Sequence, residues 1–240
     1  MPRTLVLYVF HQYNDRVEHF IQNAIFYDEN IDFIVISNSR DNVFEVPPYV
    51  KTLFRDNVGF DFGGWSDGLL TDDLYKQYDN FIFINSSVIG PFIDSGKWTD
   101  VFLDRLNVNN VKLIGSTINT IALAHILAHV QTYAFAVDRE AIEYLIAEEL
   151  FTMKKYTKTI DETVFFKEIG MSRLIVAKGW NISSLHRLYK SVDFTNAYRY
   201  KFPPLYDIMS KEYCGSLWTP EELVFIKGNR VNIPVPTVQN

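Results

Sequence analysis

The strongest constraint on the fold of this chain is a series of short, unbroken apolar runs that alternate with segments of helical periodicity. The first run, Thr4–Phe10, has the continuous apolar character of a strand buried on both faces of a sheet. Asp15 can cap the helix that follows. Further strands are expected at residues 31–37, 50–54, 81–84, 111–115 and 129–137, and further helices at about 64–75, 98–106, 139–150 and 161–169. This alternation predicts an α/β fold with a mostly parallel central sheet and helices on both faces.

The pattern is weaker after about residue 155. Short strands are expected at residues 174–176 and 181–185, and residues 194–213, rich in Tyr, Phe and Pro, are expected to form an irregular cover over the sheet. Thr219 followed by Pro220 predicts the start of a last helix. Because no change of composition marks a second unit, we expect a single domain over residues 1–240.

The composition limits the classes of function open to the chain. A net charge of −6 over 240 residues argues against a general nucleic-acid binder, which needs clustered Lys and Arg. The single cysteine, Cys214, cannot form an intrachain disulfide, so a reducing compartment is expected. The sequence has no apolar run of membrane-spanning length and no signal-peptide pattern. We therefore expect a soluble cytoplasmic protein, with peripheral membrane association left open.

A glycine-rich segment, residues 57–65, joins a predicted strand to a predicted helix. Close approach of the backbone to a phosphate-bearing ligand calls for glycine and free N–H groups at such a turn. The structural alternative is a tight turn with a capping aspartate. The ligand-binding candidates in this segment are Asn57, Gly59, Asp61, Gly63 and Gly64.

The apolar strand at residues 81–84 ends abruptly in Asn85, Ser86 and Ser87. Polar side chains released at the carboxyl end of a strand lie where open α/β sheets bind ligands. The alternative is that these residues cap the next segment of the chain. Since the loop at residues 57–65 should lie beside the same strand end, the two segments predict one nucleotide-sugar pocket.

Taken in order, these segments resemble the family 2-like glycosyltransferases of GT-A fold, and more narrowly the rhamnan-synthesis-type polysaccharide glycosyltransferases. The resemblance runs over nearly the whole chain. It is carried by Tyr13-Asn14 after the first strand, by Asn38, Ser39 and Asp41 after the second, by Asn57 and residues 59–63 after the third, by Asp161-Glu162 ahead of Gly170, and by the closing motif at residues 218–230.

The resemblance implies a GT-A-like fold that binds a nucleotide-diphosphate sugar as donor and a glycan as acceptor. Residues up to about 110 would bind the donor, with His11 and Asn38 placed beside the nucleotide. Residues from about 111 would form the acceptor side, where His129 and Gln131 point the same way from a strand.

One motif departs from the family. The fourth strand of these enzymes usually ends in a DxD-type motif that holds a divalent cation, manganese or magnesium, whereas residues 85–87 here are Asn-Ser-Ser. Neutral amide and hydroxyl groups are weak ligands for hard cations. The requirement for a metal is therefore left open, with Asp61 and His186 as candidate ligands. Backbone N–H groups, a weakly bound cation, or basic residues such as Arg187 and Lys190 would otherwise stabilise the departing diphosphate.

The resemblance makes Asp161 and Glu162 the catalytic candidates. An inverting transfer needs a carboxylate that accepts the proton of the acceptor hydroxyl as it attacks the anomeric carbon. The structural alternative is that acidic residues favour the first turn of a helix, where they complement the helix dipole.

The implied function is transfer of a hexosyl or rhamnosyl group from a nucleotide-diphosphate sugar to a glycan hydroxyl during polysaccharide or glycan assembly. A non-catalytic nucleotide-sugar or carbohydrate-binding protein of the same fold is the alternative. A nucleotidyltransferase is disfavoured because residues 8–20 lack the basic glycine-rich loop expected of that class.

Overall fold

A computed structural model describes residues 2–120, 128–199, 208–209 and 216–231 of the chain. Within these residues the strands are β1 (Thr4–Phe10), β2 (Ile31–Ser37), β3 (Lys51–Phe54), β4 (Asn80–Asn85), β5 (Val88–Ile89), β6 (Val111–Gly115), β7 (Ile118–Asn119), β8 (His129–Val130), β9 (Ala134–Asp138), β10 (Asn181–Ser184) and β11 (Ile226–Lys227). Seven of them form one sheet in the order β10-β6-β9-β4-β1-β2-β3. Two-stranded pairs, β11 with β5 and β7 with β8, lie outside it.

The central sheet is mostly parallel. β1 pairs in parallel with β2 and with β4, and β2 pairs in parallel with β3. β9 is antiparallel to both of its neighbours, β4 and β6, and β10 then runs parallel to β6. β9 is thus the one strand of this sheet that runs against the others. The predicted α/β class with a mostly parallel sheet is confirmed.

The described helices are α1 (Asp15–Asn23), α2 (Phe60–Leu70), α3 (Trp98–Leu103), α4 (Arg139–Ala147), α5 (Ile160–Glu162), α6 (Gly170–Ala177) and α7 (Pro220–Leu223). A 3-10 helix continues α2 over Thr71–Gln77, and a π-helix over Thr163–Ile169 joins α5 to α6. No helix in the described ranges is long and apolar enough to cross a membrane.

Helices cover both faces of the sheet, as can be seen at β1. The ring of Tyr8 stacks on Phe20 of α1, with 3.8 Å between the ring centroids. On the opposite face, α2 packs so closely that a Cβ added at Gly64 would lie 2.8 Å from Val9 Cγ2, and one added at Gly68 would lie 2.9 Å from Leu7. Since successive strand residues point to opposite faces, α1 and α2 lie on the two sides of the sheet.

An aromatic cluster fixes the position of α2. The Trp65 ring packs edge-on against Phe83 of β4 and Phe135 of β9, with centroid distances of 5.5 and 5.4 Å. Phe83 and Phe135 stack on each other at 4.7 Å. Trp65, the last residue of the glycine-rich segment, is therefore a core residue, and it holds the start of α2 against the sheet.

The structure changes several expected boundaries. The cap of α1 is Asn14, whose side chain accepts from the backbone N–H groups of Arg16 and Val17, so the expectation for Asp15 was one residue late. α2 begins at Phe60, not near Gly64. The strand expected at 129–137 is two strands, β8 and β9.

The strand expected at residues 174–176 is wrong, because these residues lie in α6. Met171, Ser172 and Ile175 are its buried residues, a spacing that fits one face of a helix. The run ends where Gly179 adopts a φ of +85°, a conformation that suits a helix terminus. Thr219 caps α7 as expected, and most of residues 194–213 lies outside the described ranges.

Candidate functional site

The candidate site lies at the carboxyl ends of the parallel strands. His11 follows β1, Asn38 follows β2, and Asn85 is the last residue of β4. The adjacent strands pair in register, so these ends meet at one edge of the sheet. The start of α2 lies at the same edge, because the side-chain amide of Asn85 donates a 2.9 Å hydrogen bond to Asp61 Oδ2. The two segments singled out in the sequence therefore meet.

The turn after β4 is organised around the side chain of Asn85. Its Oδ1 accepts hydrogen bonds from the backbone N–H of Ser87 at 3.0 Å and from the Ser87 hydroxyl at 2.6 Å. The carbonyl of Ser86 accepts from Arg16 Nε at 3.1 Å, and the carbonyl of Ser87 accepts from the Gly228 N–H at 2.8 Å. Asn85 therefore caps its own turn and also orients the carboxylate of Asp61.

A second carboxylate at this edge, Glu168, was missed by the sequence reasoning. Glu168 Oε2 accepts from the backbone N–H of Thr132 at 2.9 Å and, through a short hydrogen bond, from the Thr132 hydroxyl. His129 Nε2 lies 3.5 Å from Glu168 Oε1. One signal was available: Glu168 is the sole acidic residue in residues 163–177, within a stretch otherwise apolar, basic or small.

Asp61 and Glu168 have opposite electrostatic surroundings. Burial raises the pKa of Asp61 to about 6; the charge of Glu168 adds to this rise, while Asn85 and Lys227 act against it. Burial alone would also raise the pKa of Glu168, but His129 and Thr132 outweigh it and lower the pKa to about 2. Glu168 is thus a fixed anion and Asp61 a carboxyl that can exchange a proton near neutral pH. Two carboxylates whose pKa values are driven apart are the pattern of an acid–base site.

Two basic side chains flank the turn at Ser86 and Ser87. Arg16 Nε donates to the Ser86 carbonyl. Burial raises the pKa of the nearby Tyr8 hydroxyl; the charge of Arg16 opposes this rise, and the charge of Asp61 adds to it. Lys227 of β11 lies opposite Val88 in the β5–β11 pair, and its ammonium group is 5.6 Å from the centroid of the Tyr133 ring. Lys227 belongs to the closing motif noted in the sequence, but the sequence reasoning did not single it out.

The acidic pair Asp161 and Glu162 has the contacts of a helix start. The Thr159 hydroxyl accepts from the Glu162 N–H at 3.1 Å, and Glu162 Oε2 accepts from the Lys158 N–H at 2.7 Å. This arrangement is close to a capping box. Asp161 is exposed. These contacts fit the structural alternative for the pair, and its catalytic role stays a prediction.

Asn38 belongs to a buried network centred on Arg55. Arg55 donates to Asn38 Oδ1 at 2.7 Å, to Asp67 Oδ2 at 2.6 Å and to the Val58 carbonyl at 2.7 Å. The Asn38 amide group donates to the Phe60 carbonyl at 3.1 Å. Both polar groups of the Asn38 side chain therefore bind the loop that precedes α2. This loop in turn fixes the position of Asp61 in the first turn of α2.

The glycines of this loop have packing roles. Gly59 has a φ of +75°, and a Cβ there would lie 2.8 Å from Tyr156. A Cβ at Gly63 would lie 2.0 Å from the Val58 carbonyl oxygen. Asn57 is exposed at the start of the loop. The ligand-binding role predicted for Asn57, Gly59 and Gly63 stays a prediction, since the local backbone already accounts for both glycines.

The histidines and Gln131 fall into three settings. His11 is exposed at the strand-end edge, where Nδ1 lies 2.9 Å from the Asn38 carbonyl. His129 and Gln131 are buried; His129 Nε2 faces Glu168, and Gln131 Oε1 accepts from the Thr117 hydroxyl at 2.7 Å. Their role on an acceptor side stays a prediction. The buried His186 has Nε2 3.0 Å from the Leu217 carbonyl and Nδ1 3.3 Å from the Leu188 N–H.

The donor set at the strand-end edge does not fit a divalent cation. Among the described residues, Asp61 is the carboxylate hydrogen-bonded to Asn85, and Glu168 is already bound by Thr132. Hard cations prefer several carboxylate oxygens. In the described part of the chain, no three His, Cys, Asp or Glu residues form a group that could hold a metal ion. Both ring nitrogens of His186 have backbone partners, which disfavours it as a ligand.

The basic residues suggested earlier for the diphosphate have other surroundings. Arg187 forms an ion pair with Glu222, whose carboxylate also accepts from the Arg187 N–H at 2.6 Å. Lys190 lines a cavity with Arg105 and Asn181, near the amino end of β10. Arg16 and Lys227, by contrast, lie beside the turn at Ser86 and Ser87.

Comparison with known proteins relates the chain to a family, to two curated relatives and to a solved structure. The model of the family described as rhamnan synthesis protein F matches residues 33–203. Two sequences of virulence protein VirA from Vibrio anguillarum are each 23% identical over 185 residues, covering 72% of this chain and 54% of the relative. The chain thus spans about half the length of the curated relatives it matches. A cytidylyltransferase from Leptospira borgpetersenii is 12% identical, with a TM-score of 0.42 and coverage of 82% of this chain and 84% of that chain.

Proposed function

The chain belongs to the rhamnan synthesis protein F family, and from this premise we propose that it is a glycosyltransferase. It moves a sugar from a nucleotide-diphosphate donor to a hydroxyl of a growing glycan. Residues up to about 110 hold the donor, and the remainder of a single domain forms the acceptor side. It acts in polysaccharide or glycan assembly in the cytoplasm.

One observation carries the proposal beyond the family. Asp61 and Asn85 are hydrogen-bonded at the carboxyl edge of a mostly parallel sheet, the charge of Glu168 acts on Asp61, and the pKa values of the two carboxyl groups are driven in opposite directions. Strongly shifted carboxyl groups at a ligand-binding edge mark candidate catalytic sites. Structural ion pairs alone would not require a carboxyl with a raised pKa at this edge.

Asp61 is the proposed proton acceptor. The acceptor hydroxyl oxygen forms a bond to the anomeric carbon while the bond from that carbon to the diphosphate oxygen breaks. The hydroxyl proton passes to Asp61, and the electron pair leaves with the nucleoside diphosphate. A base is most effective when its pKa is near the working pH, which favours Asp61, with a pKa of about 6, over Glu168, with a pKa of about 2.

Arg16 and Lys227 are the proposed partners of the departing diphosphate. They flank the turn at Ser86 and Ser87, and a fixed positive charge stabilises charge that develops on a leaving group. Since the donor set beside Asp61 does not fit a divalent cation, the proposed reaction includes no step through a metal ion.

The experiment is a transfer assay with a panel of nucleotide sugars and glycan acceptors, run with manganese and with a chelator. We expect transfer, or donor hydrolysis, that persists in the chelator and is lost in Asp61→Asn. Asp161→Asn and Glu162→Gln are matched controls that keep the fold and remove the other acidic pair. Loss of turnover in these controls, with full activity in Asp61→Asn, would overturn the proposed base.

A non-catalytic nucleotide-sugar or carbohydrate-binding protein is the second candidate. It is favoured by the Asn-Ser-Ser sequence at residues 85–87, which supplies no carboxylate where the resembling enzymes carry DxD. Saturable binding of a nucleotide sugar by calorimetry, without turnover of any donor in the panel, would establish this alternative. Turnover by the wild type would exclude it.

A further inference from the structure

A second cavity lies beside β10, outside the candidate site. It has a volume of about 510 Å³ and is lined by residues 104–111, by two residues of β10 and by residues of the segment 190–195. β10 is an edge strand of the seven-stranded sheet, and β6 and β9 separate it from β4, which carries Asn85. Cavities of this size hold small ligands. We call it the Arg105 cavity, after the residue that most constrains its occupant.

Arg105 is a half-buried cation that lines this cavity. Among the described residues its side chain has no hydrogen bond or ion pair, and its Nη1 is buried. Burial lowers the pKa of Arg105, and the charge of Glu222 acts against this, but the Glu222 carboxylate is already paired with Arg187. Because an unpaired buried charge costs free energy, the guanidinium group of Arg105 is suited to an anionic partner.

The two walls of the Arg105 cavity are fixed by the fold. The backbone N–H of Arg105 donates to the Phe102 carbonyl at 3.2 Å, and Phe102 is fully buried. On the β10 side, the Asn181 amide group donates to the Val192 carbonyl at 2.9 Å, and Asn181 Oδ1 accepts from the Phe194 N–H at 2.8 Å. The segment that carries Lys190 is therefore held against β10, and the cavity is formed before any ligand binds.

Lys190 and Ser183 add a second cation and a hydroxyl group to the lining. Lys190 is exposed and Ser183 is buried. Within the described ranges, neither side chain has a hydrogen-bond partner. A guanidinium group binds two oxygens of a phosphate side by side, and an ammonium and a hydroxyl group can donate to the remaining oxygens. These three groups together fit a phosphate.

The rest of the lining is polar and includes acceptors. Asp104 and Asp193 also line the cavity, so its formal charges balance at two cations and two carboxylates. Asp193 Oδ1 accepts from the Thr195 N–H at 3.0 Å and from the Thr195 hydroxyl at 2.6 Å, whereas Asp104 is exposed. Three of the thirteen lining residues are apolar, all of them valines, which disfavours a hydrophobic ligand. Carboxylates accept hydrogen bonds from hydroxyl groups, so this lining fits a phosphate joined to a hydroxyl-bearing body.

We propose that the Arg105 cavity binds a sugar phosphate. The phosphate group binds to Arg105, Lys190 and Ser183, and the sugar hydroxyls donate to Asp104 and Asp193. This site is separate from the proposed donor site at Asp61 and Asn85. The inference therefore stands whether or not the protein is a glycosyltransferase.

Calorimetric titration of the full chain tests this inference with three probes: glucose-6-phosphate, inorganic phosphate and glucose. We expect saturable binding of glucose-6-phosphate, weaker binding of inorganic phosphate and no binding of glucose. Arg105→Gln should weaken the binding of glucose-6-phosphate by about tenfold or more, because it removes a charge-assisted hydrogen-bond donor. Lys190→Gln, at an exposed position, should weaken it by about threefold.

Arg40→Gln is the matched control, because it removes the same charge from an exposed ion pair with Asp56. Arg16→Gln tests whether the probe binds at the candidate site instead. Both variants should bind glucose-6-phosphate as the wild type does. Without ligand, Arg105→Gln should melt at or above the wild-type temperature, since no hydrogen bond is lost.

Four results would overturn the proposal. The first is no binding of glucose-6-phosphate, and the second is equal binding of inorganic phosphate, which would leave the sugar without a role. The third is loss of binding in Arg16→Gln with full binding in Arg105→Gln, which would assign the ligand to the candidate site. The fourth is a melting temperature of Arg105→Gln clearly below that of the wild type, which would assign Arg105 to the stability of the fold.

Discussion

The chain carries two acidic pairs with nearly the same chemistry and very different surroundings. Asp161 and Glu162 lie at the start of a helix. Asp161 is exposed, and the Glu162 carboxylate accepts a hydrogen bond from the Lys158 N–H. Asp61 and Glu168 are 107 positions apart in sequence, but both lie at the carboxyl edge of the sheet, where the charge of Glu168 adds to the raised pKa of Asp61. The comparison teaches that adjacency in sequence is a poor guide to a catalytic pair. Burial and partners decide whether a carboxylate can do proton chemistry.

The largest effect is expected from Asp61→Asn. The amide keeps the size of the side chain and can still accept from Asn85, but it cannot take a proton. We expect kcat for sugar transfer to fall by about 10²–10⁴-fold with little change in the KM of the donor. Because the substitution also removes a charge from a site where burial disfavours it, the melting temperature at pH 7.5 should rise. Wild-type kcat in Asp61→Asn would end the distinction between the two pairs.

The next effect is expected from Glu168→Gln. The substitution leaves the Thr132 N–H and hydroxyl without their carboxylate, so the free energy of unfolding should fall by about 1–3 kcal/mol. Urea denaturation at pH 7.5 measures this change. Thr132→Val is the companion variant, because it removes the hydroxyl contact while Glu168 stays charged. If Glu168→Gln were as stable as the wild type, the contacts of Glu168 would carry no weight in the fold.

The two carboxyl groups should also have opposite effects on stability as the pH changes. Because the pKa of Glu168 is lowered in the folded protein, its ionised carboxylate stabilises the fold at pH values above the usual pKa of 4.5. This contribution, up to about 3 kcal/mol, is lost as the pH falls towards 2. The raised pKa of Asp61 favours the fold below 3.8, and this contribution is lost as the pH rises through about 6. From pH 7 the stability should therefore rise as the pH falls to about 4, and it should decrease below that pH, where the loss from Glu168 dominates.

Each substitution should remove its own part of this curve. The measurement is the urea midpoint of unfolding at pH values between 3 and 8. In Asp61→Asn the midpoint should no longer change between pH 4 and 6, and in Glu168→Gln it should no longer fall at low pH. If both variants showed the same pH dependence of the urea midpoint as the wild type, neither carboxyl would have a shifted pKa in the folded protein.

The smallest effects are expected at the helix start. Asp161→Ala should leave sugar transfer within about threefold of wild type, because the side chain is exposed. Glu162→Ala should cost at most about 1 kcal/mol of stability through loss of the capping contact to the Lys158 N–H. A hundredfold loss of transfer in Asp161→Ala, with an unchanged fold, would restore this pair as the catalytic one.

Much of the sheet could be predicted from the sequence. β1 and β2 have the expected bounds because buried parallel strands are apolar throughout, and this signal is local. The meeting of residues 57–65 with residues 85–87 was also predicted, since it follows from strands that share a carboxyl edge. The glycines there were harder to interpret. Gly64 is needed because α2 packs closely against Val9. A glycine required for such packing looks the same in the sequence as a glycine of a phosphate-binding turn.

Glu168 could not be found in the same way, because its role depends on contacts distant in sequence. Its partner Thr132 is 36 residues away, in the turn between β8 and β9, where a single longer strand was expected. Lys227 is placed by the pairing of β11 with β5, two short strands that have no periodicity to read. The positions of such site residues are determined by tertiary contacts, which cannot be predicted from local sequence patterns.

The most direct test is the pH dependence of kcat/KM for the wild type and for Glu168→Gln. If Asp61 is the proton acceptor and Glu168 raises its pKa, the wild-type rate should fall on the acid side with an apparent pKa near 6. In Glu168→Gln the same limb should move to lower pH, because the neighbouring negative charge is gone. An acid limb that stays in place in Glu168→Gln, or that moves instead in Asp161→Asn, would contradict the assignment of Asp61 and Glu168 as the acid–base centre.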